Sequence, residues 1–177
     1  MSRKKPFSEI PVIKTGRLTL RGLAEGDAKS LRELTEDAEV YRFLPTFLFE
    51  KKYADADEVI KKLYTECIGE SLILGVFDKD GFCGLAELYG FRDAIHKISV
   101  GYRFVKRCWG RGYASEALGG LLEYLYGETD AEIITASTMT ENAASARVLA
   151  KNGFTAVARA DEDWGYPEPT LTDKWIN

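Results

Sequence analysis

Two glycines one residue apart, Gly110 and Gly112, stand at the head of a long apolar-periodic run in FVKRCWGRGYASEALGGLLEYLYG, residues 104–127. The first four N–H groups of a helix have no partner inside it and lie at the positive end of its dipole, so an anion fits there. Glycine removes blocking side chains and lets the backbone take positive φ, so that successive N–H groups converge into a nest that suits a pyrophosphate. Behind the turn, Ala114, Leu118, Leu121 and Leu125 recur at helical spacing and would anchor the helix to a sheet. A strand-to-helix turn with no ligand satisfies the same string. The pattern is not a dinucleotide fingerprint, which needs glycine where Ser115 stands, nor a P-loop, because no Gly-Lys-Ser/Thr follows.

A second group of residues lies downstream. ENAASARVLAKNGF (residues 141–154) starts a helix directly after the β-branched run IITASTM, which places Asn142 and Ser145 at the C-terminal edge of that strand, beside the glycine turn. Clefts at such edges bind ligands. Asn142 reads equally as a helix N-cap and Ser145 as a first-turn hydroxyl, and both readings stay open at this point.

The elements that carry these groups follow from periodicity. Residues 16–23 alternate as a strand, and residues 24–37 read as a helix that Asp27 caps and that carries Leu31 and Leu34. After an aromatic break around Pro45, helical period returns through Val59, Ile60, Leu63 and Cys67. SLILGVFD, GFCGLAELYGF and KISVGYRFV predict an antiparallel meander, with turns at residues 79–81 and around Asp93. The helix after Gly112, the strand to Met139 and a short helix closed by Asn152-Gly153 follow. FTAVARA and TLTDKWIN are the last strands. A strand, helix, strand passage from Ile98 to Met139 makes a right-handed crossover and so places one parallel pair in an otherwise antiparallel sheet. The expectation is one mixed α/β (α+β) domain over residues 1–177, without repeats or linkers.

Composition bounds the partners. The chain has 177 residues, 45% hydrophobic and 29% charged, the balance of an ordinary folded domain. A formal charge of -4 argues against a basic nucleic-acid-binding surface and suits a cationic small partner better. Three cysteines, Cys67, Cys83 and Cys108, form neither a disulfide framework nor a CxxC pair, which fits a reducing cytoplasm. Neither a signal peptide nor a membrane span is expected. The single histidine, His96, excludes a multi-histidine metal site, and no metal is expected.

FVKRCWGRGYASEAL together with NAASARVLAKNGF resembles the acyl-CoA-binding motifs of GNAT N-acetyltransferases, in particular the branch that acetylates N-terminal alanine of ribosomal proteins. TGRLTLRGLAEGDAKSLREL and EVYRFLP look like the same branch, so the resemblance covers residues 15–157. The family motif, Gln/Arg-x-x-Gly-x-Gly/Ala, fits best with Trp109, Gly112 and Ala114 at its first, fourth and sixth positions, departing from Gln/Arg at Trp109. A second register, from Arg107 through Gly110 and Gly112, also fits.

The resemblance implies a mostly antiparallel central sheet flanked by helices, with one splayed parallel strand pair, and acetyl-CoA as co-substrate. It implies that Phe104 and Val105 end a strand that pairs with the pantetheine arm. The amides of Trp109, Gly110, Arg111, Gly112, Tyr113 and Ala114 take the pyrophosphate, Asn142 binds the cofactor arm, and Ser145 protonates the thiolate. Leu149 occupies the position where many GNAT enzymes have an acidic tyrosine. Glu87, on a strand next to the split, is the candidate base through a water, or faces solvent.

Other residues read more plainly. His96 sits in a turn as a surface residue, Cys108 as a small buried one, and Tyr102 and Tyr113 as packing with a phenol near the cleft. Tyr41, Arg42 and Phe43 wall the acceptor cleft or staple the first helices to the core. DEDWGYPEP, residues 161–169, is an acidic loop open to a cationic amine. The expected activity is acetyl transfer to a primary amine, on a peptide N-terminus or a small molecule such as a polyamine, aminoglycoside or amino acid. A noncatalytic acyl-CoA-binding module and a protein-interaction domain with an empty turn are the alternatives. Nucleic acid and membrane are not expected partners, and both a monomer and a homodimer remain open.

Overall fold

The computed structural model describes residues 3–44, 55–66 and 69–177. Pro45 and Cys67, singled out above, lie outside them. The described elements run β1 (Ile13–Lys14), β2 (Thr19–Arg21), α1 (Ala28–Glu36), α2 (Ala56–Leu63), β3 (Ser71–Asp78), β4 (Gly81–Arg92), β5 (Lys97–Phe104), α3 (Tyr113–Glu128), β6 (Ile133–Met139), α4 (Ala143–Lys151), β7 (Thr155–Glu162) and β8 (Thr170–Ile176). They form one sheet in the order β1-β2-β3-β4-β5-β6-β8-β7. Every adjacent pair is antiparallel except β5 and β6.

The sheet is covered on both faces, which explains why β3 reads as an unbroken apolar run. Successive side chains on a strand point to opposite faces. Leu72, Leu74 and Val76 therefore join Leu118, Leu121 and Leu125 of α3 in one core. Ile73 meets Leu31 and Leu34 of α1 and Val59 and Leu63 of α2 in a second core on the other face. Tyr64 ties that second layer to the sheet, because its hydroxyl donates to the Ile73 carbonyl at 2.6 Å and accepts the Leu23 N–H at 2.7 Å.

The expected meander β3-β4-β5 and the parallel crossover through α3 are present. Three details differ from the sequence reading. The first strand of the sheet is β1, in a segment with too few residues to show alternation. Asp27 lies at the start of α1, but its carboxylate accepts from the Ala24 N–H (2.8 Å) and Arg21 (2.8 Å) instead of capping that helix. The reason is backbone conformation: Asp27 ends a preceding 3-10 turn and is itself helical, so its side chain reaches back. The third is β8, inserted between β6 and β7 by a hairpin.

β5 and β6 pair only from Lys97 to Ser99 and from Ile133 to Thr135. Beyond that point β5 continues to Phe104 and β6 to Met139 without a common ladder. Among the described residues, no helix is long and apolar enough to cross a membrane.

Candidate active site

The diverging ends of β5 and β6 open a cavity of about 630 Å³. Val105 donates its N–H to the Cys83 carbonyl at 2.8 Å, and hydrogen-bonding groups alternate sides along an antiparallel ladder. Gly101 and Arg103 therefore turn toward β4, and the N–H and C=O groups of Val100, Tyr102 and Phe104 turn toward the β6 side, where the Val100 N–H completes the last rung, at Ser99 and Thr135, and the Val100 C=O and the groups of Tyr102 and Phe104 lie beyond it. Of these, the Phe104 carbonyl accepts the Trp109 indole N–H at 2.7 Å. The expectation that Phe104 and Val105 supply the open edge is thus displaced: Val105 is bound to β4, half of Phe104 is engaged, and the open edge begins at the Val100 carbonyl and Tyr102.

The glycine turn closes one end of the cavity. Gly110 (φ 70°) and Gly112 (φ 77°) are both left-handed, a conformation that costs other residues about 1–2 kcal/mol. Gly112 is the N-cap of α3, and the first helical bond runs from the Glu116 N–H to its carbonyl at 3.0 Å. The amides of residues 112–115 thus have no acceptor within the helix. The Trp109 amide is committed to the Lys106 carbonyl at 3.0 Å, so the turn presents donors from Gly110 onward. Trp109, Gly110, Gly112, Tyr113 and Ala114 line the cavity; Arg111 does not. Its carbonyl accepts from Arg17, and its guanidinium lies 3.8 Å from Asp78 and 5.0 Å from the Tyr113 ring centre.

Contacts distant in sequence hold this turn, and no local pattern shows them. Glu116 accepts from the Thr15 hydroxyl, the Arg17 N–H and the Arg17 guanidinium, each at 2.6 Å. Burial pushes its carboxyl up, but these donors more than offset that and hold it below the ordinary range. On the other side, the nearly buried Asp78 carboxylate takes Arg107 at 3.1 Å, and Arg107 also donates to the Phe82 carbonyl at 2.6 Å. Burial again acts upward on Asp78, and Arg107 with the Asp80 N–H outweighs it.

A pH dependence follows from Glu116. Because its folded pKa is depressed, the stabilisation is complete above about pH 4.3 and is lost as pH falls toward the folded value. Glu116→Gln is expected to cost about 1–3 kcal/mol at pH 7. In urea unfolding the gap between the two chains should narrow below about pH 4; a gap equally wide at pH 7 and pH 3 would contradict the assignment.

At the opposite wall, Asn142 caps α4, its side-chain carbonyl accepting the Ser145 N–H at 3.1 Å. Both residues line the cavity, as does Leu149 one turn on. The Ser145 hydroxyl lies 2.9 Å from the Tyr102 hydroxyl, which the sequence pointed to only as a nearby phenol. Asn152 stitches the two helices that frame the site, donating to Ser115 Oγ at 2.9 Å.

Glu87 does not line the cavity. It is 6% exposed, with Oε2 3.9 Å from the guanidinium of Arg103, whose own side chain is 3% exposed and does reach the wall. Tyr41 packs beneath Arg103 with its ring centre 5.5 Å away, while Arg42 and Phe43 line the cavity. Of the 161–169 loop, Trp164 lines the cavity, and Tyr166 donates to the Arg42 carbonyl at 2.8 Å; its acidic residues do not reach the wall. His96 lies in the β4–β5 turn with Nδ1 3.5 Å from Asp130, outside the cavity. Cys108 is buried, and burial is also the first cause that pushes its neighbour Cys83 up to about 12.

Folding brings together two clusters of metal-ligand type that spacing did not show: Asp78, Cys83 and Cys108, and Asp93, His96 and Asp130. In the first, Arg107 already engages the carboxylate. In the second, Lys5 holds Asp93 at 2.7 Å.

Comparison with known proteins agrees with this arrangement. The sequence profile of the Acetyltransferase (GNAT) domain matches residues 17–155. The uncharacterized N-acetyltransferase YnaD of Bacillus subtilis is 28% identical over 171 residues, covering 92% of this chain and 98% of that protein. Among solved structures, RimL, a ribosomal L7/L12 alpha-N-protein acetyltransferase in complex with coenzyme A, superposes with a TM-score of 0.80 at 16% identity, over 94% of this chain and 97% of the other. The spermidine N-acetyltransferase of Vibrio cholerae, in complex with CoA and spermine, gives 0.76 at 20% identity, over 91% and 95%. The profile match over residues 17–155 therefore shows an N-acetyltransferase, and the chain belongs to the GNAT family.

Proposed function

We propose that the chain transfers acetyl from acetyl-CoA to a primary amine by direct attack within a ternary complex, and that all 177 residues serve one domain. The observation that carries this is the ladder between β5 and β6 ending at Ser99 and Thr135, over a cavity with the glycine turn at its end. The CoA diphosphate sits on the amides from Gly110 to Ser115, where helix dipole and positive-φ glycines favour an anion. Its pantetheine arm runs along the edge of Val100 and Tyr102 as an added strand would. The thioester then lies near Ser145, which protonates the departing sulfur, while Asn142 fixes the first turn of α4 that carries it. Holding amine and thioester in contact supplies much of the acceleration, on the order of several kcal/mol.

Glu87 fits a part played through Arg103, as its counter-charge, better than contact with the amine, since it stands behind the wall. Among the described residues of the wall the one carboxylate is Glu39, and Lys106 already holds it at 3.0 Å. With Arg42 and Arg103 beside it, this half of the cavity favours an acceptor of low positive charge, such as a peptide α-amine, over a polyamine. Mass-spectrometric detection of acetylated products across peptides, amino acids, aminoglycosides and polyamines tests this. Peptide N-termini are expected to turn over fastest. Fastest turnover of spermidine would overturn the acceptor reading, and CoA binding without release of thiol to any amine would favour a noncatalytic module.

A further inference from the structure

The one polar contact between β5 and α4 that spans the mouth of the split is Tyr102 with Ser145, among the described hydrogen bonds. Tyr102 lies on β5 beyond Ser99, the last residue that pairs with β6, so its ring occupies the opening and its hydroxyl meets the first turn of α4. That hydroxyl is 2.9 Å from Ser145 Oγ and 3.4 Å from the Ser145 carbonyl oxygen. A phenol carries one proton and is a much stronger acid than an aliphatic alcohol, so Tyr102 gives that proton to Ser145 Oγ at 2.9 Å in preference to the carbonyl at 3.4 Å. The serine's own proton is left over.

We propose that Tyr102 is a positioning residue for acetyl transfer: its phenol holds the Ser145 hydroxyl on the β5 side of the cleft, with the serine proton directed at the thioester sulfur. This rests on the reading of Ser145 as proton donor. A serine in a first helical turn can otherwise rotate and spend its proton on a carbonyl of the preceding turn. Donation from Tyr102 anchors the oxygen and polarises its O–H bond, because linked hydrogen bonds strengthen one another. Burial raises the Tyr102 phenol to about 12, with the Ser145 bond acting downward, so it remains a donor throughout the working range and keeps its proton. The chemistry balances without a further reactant. The C–N bond forms, the C–S bond breaks, sulfur takes the Ser145 proton, and the serine regains one from the proton that nitrogen loses, through water in the cavity.

The test is a double-mutant cycle in steady-state turnover with a productive amine, using Tyr102→Phe, Ser145→Ala and the pair. Phenylalanine keeps the ring and removes only the hydroxyl, and a CoA titration of each variant shows whether the cleft is intact. Tyr102→Phe is expected to lower kcat about tenfold, the worth of one hydrogen bond, with the KM for acetyl-CoA within about twofold. In the Ser145→Ala background the same change is expected to do nothing further. An unchanged kcat in Tyr102→Phe, or the same tenfold loss in both backgrounds, would overturn the proposal while leaving Ser145 as donor. Full kcat in Ser145→Ala would remove both.

Discussion

Gly112→Asp is expected to weaken CoA binding by about 100-fold while the chain stays folded. The substitution places a carboxylate where the proposed diphosphate sits, and two like charges about 5 Å apart at an effective dielectric of about 20 repel by about 3 kcal/mol. That corresponds to the stated loss of affinity. Gly112 has φ 77°, so any side chain there is strained, and the charge effect needs a control that shares the strain. Gly112→Asn has nearly the same shape and tolerates the left-handed region, and it should bind CoA within about tenfold of the native chain. Isothermal titration of both variants reads the difference. Equal affinities for Asp and Asn would mean that no anion occupies the turn. The Arg17 guanidinium comes within 3.4 Å of the position of a Cβ on residue 112, so part of the added charge is neutralised.

Ser145→Ala is expected to lower kcat about 100-fold, within the range that positioned proton transfer supplies. Affinity for acetyl-CoA should change little, because the contact that orders the start of α4 is between Asn142 and the Ser145 main-chain N–H, which alanine retains. Alanine is also a good helix former, so the helix itself is not at risk. Single-turnover measurement at saturating acetyl-CoA separates the two quantities. A loss of affinity with turnover preserved would assign Ser145 to binding, and an unaltered rate would remove it from the chemistry.

The parts of this molecule legible in its sequence are those that local pattern determines. The buried meander showed in unbroken apolar runs, because the sheet is covered on both faces. The helix α3 showed in the recurrence of Leu118, Leu121 and Leu125, and the end of α4 in Asn152-Gly153, whose glycine has φ 85°. The parallel pairing of β5 with β6 followed from the strand, helix, strand order, since a helical crossover returns the chain in the same direction. What escaped depends on contacts between distant residues. The Arg17 and Glu116 brace joins positions 99 apart, and the Tyr102 and Ser145 contact joins positions 43 apart. Asp27 has an ordinary capping residue type, and only its backbone angles reveal that the side chain reaches back to Ala24. Glu87 alternates correctly for a residue facing a cleft, yet the layer of α1 and α2 lies over that face and its carboxylate ends beside Arg103.

The central claim is that main-chain donors of the glycine turn and of the open β5 edge receive the cofactor. Amide chemical shifts of the isotope-labelled chain during titration with CoA test it most directly. The largest changes are predicted on residues 110–115 and on Tyr102, with Val100, Trp109 and Val105 moving less because their N–H groups are already bonded within the protein. Saturable binding that moves other amides and leaves residues 110–115 unshifted would contradict it.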